Sequence, residues 1–183
     1  AQELTIRTGA GDDVIEVASN VSVNIVAETG EGEDTLEIAG SGDNRIDAGI
    51  GDDIVTLDGS GRNDIFGGSG DDVIQGGSGV DVIHGGDGND RIDGGGGRNF
   101  LEGGAGGDTI HSRGSGDMVS GGSGDDVLHA VDGASSIYAG AGRDRIENAG
   151  SATTVYAEGV DVVNAATGAR PTVINVEIDP DAG

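Results

Sequence analysis

The chain has 183 residues, 39 of them glycine, with two Phe, two Tyr, no Trp, no Cys and a formal net charge of -25. That is the length of one domain with too little apolar material for a conventional core, and the lack of cysteine excludes a disulfide framework and a thiolate metal site. Nine lysine plus arginine residues, scattered among 34 acids, cannot neutralise a phosphate backbone or an anionic membrane surface, so nucleic acid and acidic lipid are disfavoured and a cation is the natural partner. No apolar run approaches the ~18 residues of a membrane span, so membrane insertion is not expected. The chain starts at Ala1, which leads us to expect a segment of a longer protein.

The first acidic phrases, "GDDVIEV", "GEDTLEI" and "GDDIVTL", each place two alternating apolar residues after the acid: Ile15 and Val17, Leu36 and Ile38, Val55 and Leu57. Alternation predicts strands with paired inward side chains, hence wider and better-packed coils at the N-terminal end. Residues 17–28, "VASNVSVNIVAE", alternate without an acidic turn and read as metal-free. From residue 58 to residue 156 a nine-residue register runs without insertion, as in "GGSGDDVIQGGSGVDVIHGGDGNDRID" at 67–93. Fixed-period self-similarity of this kind marks a solenoid. The eighth position is always aliphatic: Ile65, Ile74, Ile83, Ile92, Leu101, Ile110, Val119, Leu128, Ile137, Ile146 and Val155. One apolar residue between two variable ones predicts a three-residue strand whose centre faces inward. The six glycine-rich residues before it predict a turn, because glycine enters positive φ at little steric cost. Glycine at this density, without 3.6-residue spacing, excludes helix. From about residue 148 apolar positions alternate without the acid, and Pro171 and Pro180 suit a cap or an exit from the sheet.

Phrases such as "GGSGDDVIQ", "GGDGNDRID" and "GGAGGDTIH" resemble the GGxGxDxUx nonapeptide of the RTX calcium-binding proteins. The resemblance implies an all-β, right-handed parallel β-roll or β-helix solenoid, with two turns and two strands per 18-residue coil and several Ca2+ ions between turns stacked on the same edge. It also implies the ligands. Position six of both turns gives carboxylates, here Asp72, Asp90, Asp108, Asp126 and Asp144, with Asp13, Asp34 and Asp53 in the degenerate early turns. The earlier turn adds carbonyls from positions two and four, here Gly68, Gly70, Gly86, Gly88, Gly104, Gly106, Gly122 and Gly124. The later turn adds carbonyls from positions one and three, here Gly85, Asp87, Gly103, Ala105, Gly121, Ser123, Ala139 and Ala141. On the opposite edge the matching position holds Asn63, Asp81, Asn99 and Asp117. The resemblance further implies export through a type I system and covalently linked passenger domains outside this segment. The chain divides into wider coils over 1–57, a regular roll over 58–147, and metal-poor coils with a cap over 148–183.

Sorting turns by edge separates two chemistries. One edge carries aspartate throughout, from Asp13 to Asp144, while the other reads Asn44, Asn63, Asp81, Asn99, Asp117, Ser135 and Thr153. Carboxylates stacked ~5 Å apart repel by about 1 kcal/mol per neighbour at the dielectric of water and about 3 at an effective value of 20. The column therefore opposes folding without a cation. Calcium takes six to eight oxygens, carbonyls included, whereas magnesium prefers smaller sites and keeps its waters. Asn63 and Asn99 read equally well as weak sites, an asparagine ladder or drift. His111 and His129 read as an exposed pair on one strand face rather than half a zinc site, since no third ligand follows. Phe66, Phe100, Tyr138 and Tyr156 fall on outward positions that suit strands generally and also a docking strip. No nucleophile, base and orienter cluster emerges, so an enzyme is not expected. The expected function is a calcium-dependent structural module of an exported protein, the alternative a calcium-stabilised polysaccharide-binding or adhesin-type module.

Overall fold

The structure is a computed structural model that describes residues 2–130, 135–150, 152–158 and 161–176. Among the described residues there is no helix. The strands are β1 (Glu3–Ala10), β2 (Val14–Val17), β3 (Asn24–Glu31), β4 (Thr35–Ile38), β5 (Asn44–Ile50), β6 (Ile54–Leu57), β7 (Asn63–Ser69), β8 (Val73–Gln75), β9 (Val82–Asp87) and β10 (Arg91–Asp93). They continue with β11 (Phe100–Ala105), β12 (Thr109–Ser112), β13 (Met118–Ser123), β14 (Val127–Ala130), β15 (Ser136–Ala141), β16 (Arg145–Ala149), β17 (Thr154–Glu158), β18 (Val162–Ala165) and β19 (Thr172–Val176).

Odd-numbered strands form one ten-stranded parallel sheet and even-numbered strands a second, nine-stranded one, each strand pairing with the equivalent strand one coil away. This is a parallel β-solenoid, the β-roll that the nonapeptide implies. Register stacks like on like: Ile74, Ile92, Ile110, Leu128 and Ile146 form one inward column, and Ile83, Leu101, Val119 and Ile137 belong to its counterpart. All of these are buried. The core is thus a thin filament of aliphatic side chains, each burial worth about 1.5–3 kcal/mol.

The strands of the two sheets differ in length, where the sequence predicts three residues in both. Strands β8 and β10 have three, but β9, β11, β13 and β15 have six. The longer strands absorb the opening glycines of the aspartate-edge turn, with Gly68 in register with Gly86 and Gly86 with Gly104. Gly86 holds φ at 129°, where L side chains are strained, and a Cβ there would run into the Gly68 carbonyl of the coil below. Glycine lets the chain bend without leaving the ladder. From β1 to β15 the pairing passes over position one of that turn, so that His84 pairs with Glu102 and Gly86 with Gly104 while Gly85 and Gly103 are skipped.

In β2, β4 and β6 the four-residue strands bury two apolar side chains each, Ile15 with Val17, Leu36 with Ile38, and Val55 with Leu57. In later coils the second inward place holds Gly76, Gly94, Ser112 or Ala130, so less apolar surface is buried per coil. At the other end β18 and β19 continue both sheets. Pro171 stands just before β19, at the start of a strand rather than at an exit, where a missing N–H is tolerated. Pro180 lies outside the described residues.

Candidate metal centre

On the aspartate edge the side chains of Asp34, Asp53, Asp72, Asp90, Asp108, Asp126 and Asp144 are 1–2% exposed, while Asp13 in the first turn is half-buried. The backbone explains why they turn inward. Each Oδ1 accepts the N–H of the aspartate one coil earlier: Asp53 N–H to Asp72 at 2.8 Å, Asp72 to Asp90 at 2.9 Å, Asp90 to Asp108 at 2.8 Å, Asp108 to Asp126 at 2.8 Å and Asp126 to Asp144 at 2.9 Å. The same bond joins Asp13 to Asp34 and Asp34 to Asp53. The column ends on a residue that the sequence reading missed, Asp161, which accepts the Asp144 N–H at 3.1 Å. Its phrase, "EGVDVV", has lost the paired glycines and sits 17 residues on; only the aspartate before two valines hints at it.

The second oxygen of each carboxylate is the chemically important one. The Oδ2 atoms of Asp34, Asp53, Asp72, Asp90, Asp108, Asp126 and Asp144 are buried without any hydrogen-bond partner. Leaving such an acceptor unsatisfied costs about 1–3 kcal/mol, more when it is charged. Burial accordingly lifts the carboxyls of Asp72 and Asp108 to about 7, against the pull of the backbone N–H that each accepts and helped by the neighbouring aspartates. Asp53 and Asp144 are lifted to about 6 by the same main cause, and Asp90 and Asp126 are also pushed upward by burial. Like charges stacked in a low-dielectric column, each with a spare oxygen, make a site that is incomplete without a cation or protons.

The mixed edge keeps the same backbone pattern, Asn63 N–H to Asp81 at 3.0 Å, Asp81 N–H to Asn99 at 2.9 Å and Asn99 N–H to Asp117 at 2.7 Å. Its side chains satisfy one another. The Asn63 amide donates to the carbonyls of Gly61 and Gly76 and to Asp81 Oδ1. The Asn99 amide donates to the carbonyls of Gly94 and Gly96 at 2.9 and 3.0 Å. Asn44 donates to Asn63 Oδ1 at 2.8 Å. Asp117 spends Oδ2 on the Ser112 hydroxyl at 2.7 Å and the Gly114 N–H at 3.1 Å. Of this edge's two carboxylates only Asp81 keeps an orphaned Oδ2, and burial lifts its carboxyl to about 6. Ser112, the first residue of the turn that Asp117 ends, was not legible as its partner, because the contact depends on how the turn folds back.

Other singled-out residues lie on the outer faces. His111 and His129 stack 4.4 Å apart and follow Asp93 and precede Glu147 in register, but no group of three or more His, Cys, Asp or Glu suited to a metal occurs among the described residues. Phe66 stacks on His84 at 5.1 Å, and the Arg45 guanidinium lies over the Phe66 ring at 4.9 Å to its centre. Tyr138 stacks on Tyr156 at 4.5 Å. Phe66, Tyr138 and Tyr156 share one outward column, whereas Phe100 stands in the adjacent one between Val82 and Met118.

A parallel solenoid whose turns stack buried, half-satisfied carboxylates beside backbone carbonyls belongs to the class of cation-binding repeat folds. A family profile, the RTX calcium-binding nonapeptide repeat, matches residues 5–18, 28–59, 57–92, 75–110, 84–119, 93–128 and 120–152, more than half of the chain, and the chain belongs to that family. Neither a curated protein nor a solved structure matches it. Calcium suits the donor set, because orphaned carboxylate oxygens and carbonyls are the hard ligands it takes.

Proposed function

We propose that this segment is a calcium-driven folding module and scaffold of an exported protein. The observation that carries the reading is the run of seven buried, unpartnered Oδ2 atoms along one edge. Calcium would be held by Asp72, Asp90, Asp108, Asp126 and Asp144 with the turn carbonyls of positions one to four, and would supply the positive charge that this column lacks. Because those ligands are assembled only in the folded chain, ion binding free energy becomes folding free energy. Scarce calcium inside a cell then keeps the chain unfolded and exportable, by a type I system, and abundant calcium outside folds it beside its passenger domains. The coils of 1–57 serve as the better-packed start, those of 58–147 as the calcium-dependent roll and those of 148–183 as the metal-poor end. The role is structural rather than catalytic. The outward Tyr138–Tyr156 stack favours a second reading, in which the roll also presents a flat face to a polysaccharide or another protein.

Circular dichroism during a calcium titration tests the main reading. Strand signal should rise cooperatively, with a midpoint between ~0.1 and 1 mM as in extracellular modules, and collapse on chelation. A chain equally folded in excess chelator would overturn it.

A further inference from the structure

The aspartate edge is uniform in its carboxylates but not in the residue at position one of each turn, the inward place that the strand pairing passes over. Reading along the edge it holds Thr29, Ala48, Gly67, Gly85, Gly103, Gly121 and Ala139. All seven are buried or nearly so. The four glycines have ordinary φ, so the backbone conformation does not require glycine there. Space does. A Cβ on Gly67, Gly85 or Gly103 would lie 2.7, 2.6 or 2.5 Å from the carbonyl oxygen of Gly85, Gly103 or Gly121 in the next coil, and closer still to the orphaned Oδ2 of Asp72, Asp90 or Asp108. Gly121 stands in the same relation to Asp126 Oδ2 and the Ala139 carbonyl. Those separations are too short for carbon, so a side chain there would push the spare carboxylate oxygen and the facing carbonyl out of place, whereas glycine leaves both free to turn towards an ion.

Resting on the calcium reading above, we propose that the position-one residue decides which gaps of the aspartate column accept an ion, and that only the four glycine-gated gaps do: 72/90, 90/108, 108/126 and 126/144. The gaps 34/53 and 53/72 carry the same pair of aspartates with the same orphaned Oδ2 atoms, yet they are closed. The Ala48 methyl fills the place that Gly67 leaves open. Thr29 sends its hydroxyl to the Ala48 carbonyl at 2.6 Å, and Thr8 does the same to the Thr29 carbonyl at 3.0 Å, so a hydroxyl proton serves a carbonyl that an ion would otherwise use. At the far end Ala139 closes the gap 144/161, where Asp161 Oδ2 already accepts the Glu158 N–H at 2.5 Å. The mixed edge follows the same logic. At Gly76 the nearby Gly94 carbonyl is taken by the Asn99 amide, at Gly94 that amide is itself a near neighbour, and at the next turn the Ser112 hydroxyl occupies Asp117. Charge alone does not predict occupancy, since Asp53 has the same carboxylate and a different gate.

The test is the number of calcium ions bound per folded chain, measured by native mass spectrometry and by calcium analysis after desalting. Wild type should bind four tightly, one for each of Gly67, Gly85, Gly103 and Gly121. Ala48→Gly opens the gap 53/72 and should add one ion; Gly103→Ala closes 108/126 and should remove one while the chain stays folded, as the natural alanines at 48 and 139 show the roll tolerates a methyl there. If Gly103→Ala fails to fold, the gain in Ala48→Gly decides alone. A wild-type count that includes the gaps 34/53 and 53/72, or no added ion in Ala48→Gly, overturns the gate while leaving calcium-driven folding intact. A wild type that binds no calcium overturns both.

Discussion

Asp108 and Asn99 hold position six of consecutive turns, and each accepts a backbone N–H from the previous coil, at 2.8 and 2.9 Å. They part at the second polar atom. Asp108 turns a bare, buried oxygen into the turn, whereas Asn99 turns an N–H2 group that donates to two carbonyls. One edge of the roll therefore waits for an external positive charge while the other carries its partial positive charges as amide and hydroxyl hydrogens. The same turn backbone can be completed from outside or from within, and the choice follows from whether the side chain brings acceptors or donors.

The largest effect that should separate the edges is Asp108→Ala against Asn99→Ala. Asp108 borders two glycine-gated gaps, so its loss should release about two ions and raise the calcium midpoint for folding about tenfold. Asn99→Ala should release none. It leaves the Gly94 carbonyl without its donor, at a cost of about 1–3 kcal/mol, and urea unfolding should show that loss at saturating calcium as well. Equal ion counts and midpoints in the two variants would mean that the asymmetry has no functional weight.

Acid should next mimic calcium, chiefly on the aspartate edge. Folded carboxyls lifted to about 7 at Asp72 and Asp108, from an ordinary 3.8, bind protons between those limits that the unfolded chain has released. The folded state therefore gains stability as pH falls from about 7 towards 4 and loses it as pH rises through 7, each unit of separation being worth about 1.4 kcal/mol. In excess chelator, strand signal should be greater at pH 5 than at pH 8. In the presence of calcium the sign of the pH effect reverses, because protons compete with the ion for the same oxygens, and the calcium midpoint should rise below pH 7. A chelated chain less ordered at pH 5 would show that buried carboxylates do not limit apo folding.

The smallest contrast lies along the roll rather than across it. Hydrogen exchange at a calcium concentration that half-fills the sites should protect amides of β2, β4 and β6, whose coils bury two aliphatic side chains per strand, before those of β8, β10 and β12. Earlier protection of residues 67–130 would mean that ion binding outweighs apolar burial in setting local stability.

Much of this was legible from spacing. The aliphatic eighth position and the unbroken nine-residue register located both inward columns, and the eight aspartates could be assigned to one edge from spacing alone, because coil length is constant from Asp72 onward and the early coils differ only by extra residues after each acidic turn. Asp161 escaped because its phrase lost the glycines and shortened the coil by one residue. The six-residue strands of the odd sheet escaped because turn glycines that look like loop are held in the ladder by the coil beside them.

The sequence by itself determined the period, the turn chemistry, the direction of the inward side chains and the excess of acid that calls for a cation, all of which follow from local sterics and composition. Only the tertiary structure decided which oxygen of each carboxylate is left over, that the amides of Asn63 and Asn99 face carbonyls, that Ser112 serves Asp117, and that a missing Cβ at Gly67, Gly85, Gly103 and Gly121 leaves room beside the spare oxygen. Those facts depend on atoms a full coil away. Hydrogen-bond satisfaction and free volume are properties of stacked neighbours, and no single phrase contains its neighbour.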